Sequence, residues 1–267
     1  MKRFVWTSDN HLDRMNENDR REFNEYLSEL DPDAFILAGD IAEADGVIGF
    51  LTDFRRALSC PIYFVLGNHD FWGSSFNLVK SSIRAFVKEE SNLHWLTESG
   101  VIEINQTTAL IGHDGWADAR YGKISTTGTA VPRDFFRIED LKGLPRTQFE
   151  TALNQLGEQA AECIRQMLVE AVVKYKQIYL VTHVPPFPEA SLDRSGRICD
   201  DEKLPFYSCK AVGDVLLEVM SDNPDCRLTV LCGHSHEKCT VEILPNLQVV
   251  VLKAGYGTWY PPGTIKI

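Results

Sequence analysis

Three short apolar runs near the start of the chain constrain its fold more than any other feature. Lys2 to Ser8, Ala34 to Ala38 and Ile62 to Leu66 each stop at a polar cluster. Helical spacing then follows every time. Asn18 to Leu30 carries Phe23, Tyr26, Leu27 and Leu30 at that spacing, until Asp31-Pro32-Asp33 breaks it. Val47 to Leu58 and Phe76 to Lys88 continue the rhythm. Strand, polar loop and helix, repeated three times, predict crossover units around a largely buried sheet. In such sheets chemistry collects in the loops at the carboxyl ends of the strands.

The rest of the chain reads in the same terms. Leu93 to Leu96, Val101 to Ile104 and Ala109 to Ile111 look like short strands of a meander. Phe149 to Lys174 is the longest helical stretch, and Val212 to Met220 is a further helix. Ile178 to Thr182, Leu228 to Leu231, Thr240 to Leu244 and Leu247 to Leu252 are strands. Two irregular segments, at about 114–147 and 186–207, read as inserts over the site. Two sheets packed face to face, with helices outside, would bury this many apolar strands. The expected class is α/β, a two-sheet mixed β-sandwich flanked by α-helices with irregular cap inserts, in a single domain over 1–267.

Composition narrows the function. Apolar residues make up 44% and charged residues 24% of 267, as in an ordinary soluble globular protein. No stretch approaches the ~20 apolar residues of a membrane span. The apolar run Phe4-Val5-Trp6 is too short for a signal peptide, so the cytoplasm is the expected location. Seven cysteines, an odd number without CxxC pairs, suit reduced and mostly buried thiols rather than a disulfide framework or a zinc ribbon. The net charge of −11 weighs against nucleic acid as a partner, because that requires a basic surface. It leaves room for one phosphate, because bound dications would reverse the local charge.

Five clusters follow β-rich apolar runs: Asp9-Asn10-His11, Gly39-Asp40, Gly67-Asn68-His69-Asp70, Thr182-His183 and Gly233-His234-Ser235-His236. They use five of the seven histidines, so most of the imidazole in the chain is committed to strand ends. Carboxylate, imidazole and carboxamide together suit Mn, Fe, Zn, Co or Ni better than Ca or a thiolate zinc site. In Asp9-x-His11 and His234-x-His236, period-two spacing would put both side chains on one face of an extended segment. Glycine before Asp40, Asn68 and His234 would supply the dihedral angles of a sharp exit from the sheet. Each cluster alone is weak, since a lone histidine at a strand end is more often structural. The ordered set of five is not explained by chance.

That set, D-x-H, G-D, G-N-H-[DE], H and G-H-x-H from Asp9 to His236, resembles the signature of the calcineurin-like metallophosphoesterase superfamily. The resemblance implies two divalent or mixed-valence transition-metal ions. Matched by motif position, Asp9, His11, Asp40 and His236 would hold the first metal. Asp40, Asn68, His183 and His234 would hold the second, with Asp40 bridging. His69 would bind phosphate or protonate the leaving group, and Asp70 would orient His69. A metal-bridging hydroxide would attack a phosphate monoester or diester of small-molecule type. A metal-dependent nuclease and a non-catalytic scaffold of the same fold are the competing readings; the acidic balance weighs against the first and the complete ligand set against the second.

Other residues persuade less. His113-Asp114-Gly115-Trp116-Ala117-Asp118 reads either as a wall of the site, with Asp118, Arg120 or Tyr121 toward the leaving group, or as a turn with satisfied polar groups. His94 beside Trp95 reads as structural. Arg120, Arg133, Arg137 and Arg146 would clamp a second phosphate or simply form salt bridges within the insert. Arg194 and Arg197 are the better candidates, because their loop begins beside His183. Tyr256, Trp259 and Tyr260 read as core packing or as an apolar end wall.

Overall fold

The computed structural model describes residues 2–124 and 131–267. Eleven strands are found among them: β1 (Arg3–Thr7), β2 (Ala34–Ala38), β3 (Ile62–Val65), β4 (Leu93–Trp95), β5 (Ile102–Asn105), β6 (Thr108–His113), β7 (Gln177–Thr182), β8 (Arg227–Cys232), β9 (Cys239–Leu244), β10 (Leu247–Val251) and β11 (Gly263–Lys266). The helices are α1 (Glu17–Glu29), α2 (Val47–Ala57), α3 (Phe76–Lys88), α4 (Asp134–Arg137), α5 (Arg146–Lys174), α6 (Leu204–Tyr207) and α7 (Lys210–Asp222). One sheet has the order β11-β1-β2-β3-β4 and the other β5-β6-β7-β8-β10-β9. β1 to β4 are parallel and β11 is antiparallel; β6, β7, β8 and β10 are parallel, with β5 and β9 antiparallel at the edges.

Strand alternation assigns each side chain to a layer. Phe4 and Trp6 of β1, Ile36 of β2, Leu110 of β6, Val181 of β7 and Leu231 of β8 fill the space between the sheets. Val5, Phe35, Leu37 and Phe64 point the other way, into a core with Phe23 and Leu27 of α1, Leu51 and Phe54 of α2, and Ile83 of α3. Behind the second sheet, Ile111, Leu180 and Val230 pack with Ile164 and Leu168 of α5 and Leu216 of α7. The order is helix, sheet, sheet, helix. Burial on both faces explains why the strands read as unbroken apolar runs. Each large apolar side chain buried in this way contributes about 1.5–3 kcal/mol.

Helix starts are written locally. The Asn16 side chain accepts from the Asp19 backbone N–H at 3.0 Å to cap α1, and Ser75 accepts from Leu78 N to cap α3. The expected meander is corrected. β4 pairs with β3 in the first sheet, whereas β5 and β6 form an antiparallel pair in the second. Leu93 and Trp95 belong to the core under α1 to α3, so β4 extends the first sheet, and the chain then crosses the sandwich at buried Leu96. β11, which follows Pro261-Pro262, is too short and polar to have been read as a strand. All seven cysteines are free, and all but Cys163 and Cys239 are buried. Among the described residues no helix is long and apolar enough to cross a membrane.

Candidate metal centre

The carboxyl ends of β1, β2, β3, β7 and β8 deliver the five clusters to one place. Backbone hydrogen bonds tie their loops together: Asp9 N to Gly39 O at 3.0 Å, His11 N to Asp40 O at 3.0 Å, and Gly233 N to His183 O at 2.9 Å. His69 N donates to Asp40 Oδ1 at 2.8 Å, and His234 N donates to both carboxylate oxygens of Asp9 at 3.0 Å.

Seven side chains converge in two overlapping groups. In the first, His236 Nε2 lies 3.2 Å from Asp9 Oδ1 and 3.2 Å from His11 Nε2, and His11 Nε2 lies 3.8 Å from Asp40 Oδ2. In the second, His183 Nε2 lies 3.3 Å from Asp40 Oδ1, 3.2 Å from Asn68 Oδ1 and 3.3 Å from His234 Nδ1. Asn68 Oδ1 is also 3.0 Å from His234 Nδ1. Asp40 thus turns one oxygen toward each group. His69 Nε2 sits at the margin, 3.9 Å from Asp40 Oδ2. Three sets, Asp9 with His11 and His236, His11 with Asp40 and His69, and Asp9 with Asp40 and His183, each place their donor atoms within 4.8 Å of one another.

Proton accounting in the second group points to a cation. His183 Nδ1 is 2.9 Å from the Ala38 carbonyl, and His234 Nε2 is 2.8 Å from the Phe206 carbonyl. A carbonyl only accepts, so each of those nitrogens carries the ring proton. In the neutral rings His183 Nε2 and His234 Nδ1 are therefore bare. Asn68 Nδ2 donates to Asp134 Oδ1 at 2.8 Å, which turns the amide oxygen inward. Three acceptors then lie within 3.0–3.3 Å of each other with no donor among them. A positive ion satisfies all three, and carbonyls behind imidazoles are the usual outer support of a metal site. Buried His11 Nδ1 has no hydrogen-bond partner among the described residues.

Charge agrees with this geometry at Asp9, Asp40, His11 and His234. Burial alone would push the Asp9 and Asp40 carboxyls up, but His236 beside Asp9 and His183 beside Asp40 hold both well below the usual range. Burial brings the His11 imidazole down to about 3 and that of His234 down to about 4. Ionised carboxylates and neutral imidazoles are the forms that bind a metal ion. At His183 burial is outweighed by Asp40 and Asp9, and its pKa is pushed up to about 10, so with no ion bound this ring keeps a second proton on the Nε2 that faces Asp40, and a bound cation would take that proton's place.

The backbone here is strained. Among the described residues, seven non-glycine residues have positive φ, and five of them, Asp9, His11, Asp40, His234 and His236, are in the converging set. Such conformations cost about 1–3 kcal/mol each and persist where surrounding structure enforces them. They also correct the extended-segment expectation, because D-x-H and H-x-H are tight exits from strand ends. The glycine argument changes too. Gly39 has φ +87°, as expected, whereas Gly67 and Gly233 are needed for space. A Cβ on Gly67 would lie 2.3 Å from Asp40 Oδ1, and one on Gly233 2.1 Å from Asp9 Oδ2.

Asp70 is corrected most. Its carboxylate does not orient His69; it accepts from Ile41 N at 2.9 Å, Ala42 N at 3.0 Å and Gly67 N at 2.7 Å. It clamps the loop after β2 to the loop after β3. Burial, followed by the negative charge of Asp40, pushes its carboxyl well above the usual range. The His69 ring instead stacks on Trp72, with centroids 3.5 Å apart, and its Nε2 is 3.5 Å from the Tyr256 hydroxyl.

The secondary candidates sort cleanly. His113 Nδ1 accepts from Gly115 N, and Asp114 Oδ1 accepts from Leu66 N, Trp95 Nε1 and Thr97 Oγ1, each at 2.8 Å, so this segment is a buried turn. Asp118 accepts from Lys210 N and Ala211 N at the start of α7, and Arg120 pairs with Asp118 and Glu158. His94 stacks on Tyr63, and Trp259 packs on Phe23 and Tyr26. Arg137 pairs with Glu43, and Arg146 with Glu150. Part of the 114–147 insert, residues 125–130, lies outside the described residues. Sequence reasoning missed Asp134 behind Asn68, and it named Tyr256 only as core packing or an apolar end wall, whereas its ring centroid lies 4.4 Å from that of His11. Neither has a local signal, since an acid in a charged insert and an aromatic near a terminus are both commonplace.

The chain is a β-sandwich with helices on both faces, and its strand ends bring together buried histidines and carboxylates that could hold metal ions. The model of the calcineurin-like phosphoesterase family matches residues 2–238, so the chain belongs to that family and is a metal-dependent phosphoesterase. A search of curated proteins finds no match to this sequence. Among solved structures, a phosphopantetheinyl hydrolase from Mycobacterium tuberculosis superposes with TM-score 0.66 at 14% identity, over 95% of this chain and 89% of that one. A dimetal phosphatase from Danio rerio gives 0.60 at 12%, over 98% and 91%. GAP50, the anchor in the inner membrane complex of Plasmodium, gives 0.53 at 13%, over 97% and 75%. At these identities the likeness is one of fold.

Proposed function

We propose that this protein hydrolyses a small-molecule phosphate ester at a pair of transition-metal ions. Asp9, His11, Asp40 and His236 hold one ion and Asp40, Asn68, His183 and His234 the other. The observation that carries this reading is the convergence of Asn68 Oδ1, His183 Nε2 and His234 Nδ1 within 3.0–3.3 Å, set against an Asp40 that offers one oxygen to each group. When bound, such ions activate water as a nucleophile and offset charge developing on the phosphoryl oxygens.

The protein's own groups do the rest. Carbonyls of Ala38 and Phe206 fix the tautomers of His183 and His234, and Asp134 fixes the Asn68 amide. Neutral Asn68 limits the negative charge that would repel a substrate phosphate. His69 lines the cleft, held flat by Trp72, where it donates a proton to the departing oxygen. The 186–207 insert supplies the Phe206 carbonyl, so it is part of the centre as well as its cover. Free cysteines throughout fit a reducing compartment such as the cytoplasm.

The test is reconstitution. Metal-stripped protein is assayed on p-nitrophenyl phosphate and bis-p-nitrophenyl phosphate with added Mn, Fe, Zn, Co or Ni, beside Asp40→Ala. Turnover restored by metal and absent from the variant is expected, and the preferred ester assigns monoesterase or diesterase. A wild-type protein that takes up no metal sinks the reading.

A further inference from the structure

Outside the metal centre, the feature with most chemistry is a cleft of about 550 Å³ that opens from Asp40, Asn68, His69, His234 and His236. A volume in this range holds a drug-sized ligand, more than one phosphate group occupies. Both inserts reach it. The first brings Arg133, and the second brings Arg194 and Lys203. Lys203 is engaged by Asp200 at 3.1 Å. Neither Arg133 nor Arg194 has an ion-pair partner among the described residues, unlike Arg120, Arg137 and Arg146 in the first insert. Trp72, Phe206, Tyr207 and Tyr256 line the space with aromatic surface.

Two uncommitted guanidinium groups at one cleft are notable on a chain of net charge −11, whose overall field repels anions. The acids lining the same cleft, Asp40 and Asp134, are turned to the cluster: Asp40 faces the imidazoles, and Asp134 is taken by Asn68 and Trp72. Among the described residues that line the cleft, none pairs with either arginine. Guanidinium is the group best matched to carboxylate and phosphate oxygens.

Resting on the phosphoesterase reading above, we propose that the substrate carries a second anionic group, a phosphate or a carboxylate, separated by a short apolar spacer from the ester that is cleaved. Arg133 and Arg194 take the second anion while the first lies against the metal centre. The aromatic lining contacts the spacer.

Non-hydrolysable ligands separate this inference from catalysis. Calorimetry on the metal-loaded protein compares butylphosphonate with butane-1,4-bisphosphonate and 4-phosphonobutanoate. The two-anion ligands are expected to bind about tenfold tighter than butylphosphonate, a factor ordinary for charge-assisted pairs. Whichever of them gains more identifies the second anion as phosphate or carboxylate. In R133A/R194A the ratio should fall to about one. Equal affinity of the three ligands for the wild type overturns the inference, and so does a ratio that the double variant keeps. The reconstitution assay fails separately: selective binding without turnover removes the esterase reading and leaves the two-anion cleft standing.

Discussion

Asn68 Nδ2 donates to Asp134 Oδ1 at 2.8 Å, and that single bond decides which end of the amide meets His183 and His234. Without it the amide is free to turn and present its NH₂ to two imidazole nitrogens. Trp72 Nε1 holds the same Asp134 oxygen at 2.7 Å, so the carboxylate is itself fixed. Asp134→Ala is expected to weaken one metal of the pair by about 10–100-fold, the usual effect of losing an outer support. Metal titration followed by calorimetry reads the two sites separately. Two unchanged affinities would show that Asn68 needs no such support.

Asp70 acts on stability. In Asp70→Ala the buried N–H groups of Ile41, Ala42 and Gly67 lose their acceptor. Each unsatisfied group costs about 1–3 kcal/mol, so urea unfolding of the metal-free variant should show a loss of at least ~3 kcal/mol. A loss below about 0.5 kcal/mol would mean that water replaces the carboxylate at little cost.

Space around the ligands gives a third prediction. Gly67→Ala and Gly233→Ala drive a methyl group into Asp40 and Asp9 respectively. Both variants should lose metal binding, measured by metal content after gel filtration. Gly49→Ala is the control: its added Cβ meets nothing within 4 Å, and within α2 it should gain about 0.5–1 kcal/mol. Full metal content in either of the first two variants would refute the packing argument.

Metal removal should be visible as stability. Ionised Asp9 and Asp40 lie buried side by side, and bound cations relieve that arrangement. Free metal at about 100 times its dissociation constant adds roughly 2.7 kcal/mol per site, so chelation should lower the melting temperature and re-addition should restore it. Asp40→Ala should abolish most of the response. A melting temperature indifferent to chelator would uncouple the centre from folding.

His69 offers a chemical signature. In its proposed role as proton donor to the departing oxygen, it would matter most when that oxygen is basic. His69→Ala should therefore cost far more turnover on an alkyl phosphate than on p-nitrophenyl phosphate. Equal losses on both would assign it to phosphate binding instead.

Much of this was legible in the sequence because it is local. Short apolar runs mark the strands of four or five residues that are buried on both faces. The order of Asp9, Asp40, Asn68, His183, His234 and His236 along the chain likewise places each at a strand end. What the sequence determined by itself is the list of donors and the elements that carry them, since both depend on neighbours within a few positions. The tertiary structure alone decided what each donor touches. It gave Asp70 to three backbone amides, brought Asp134 across 66 positions to Asn68, and sent β4 to the opposite sheet from β5. It also left Arg133 and Arg194 at the cleft while pairing other arginines of the inserts. Those outcomes turn on distances of a few ångströms between residues far apart in the chain, and no local pattern encodes them.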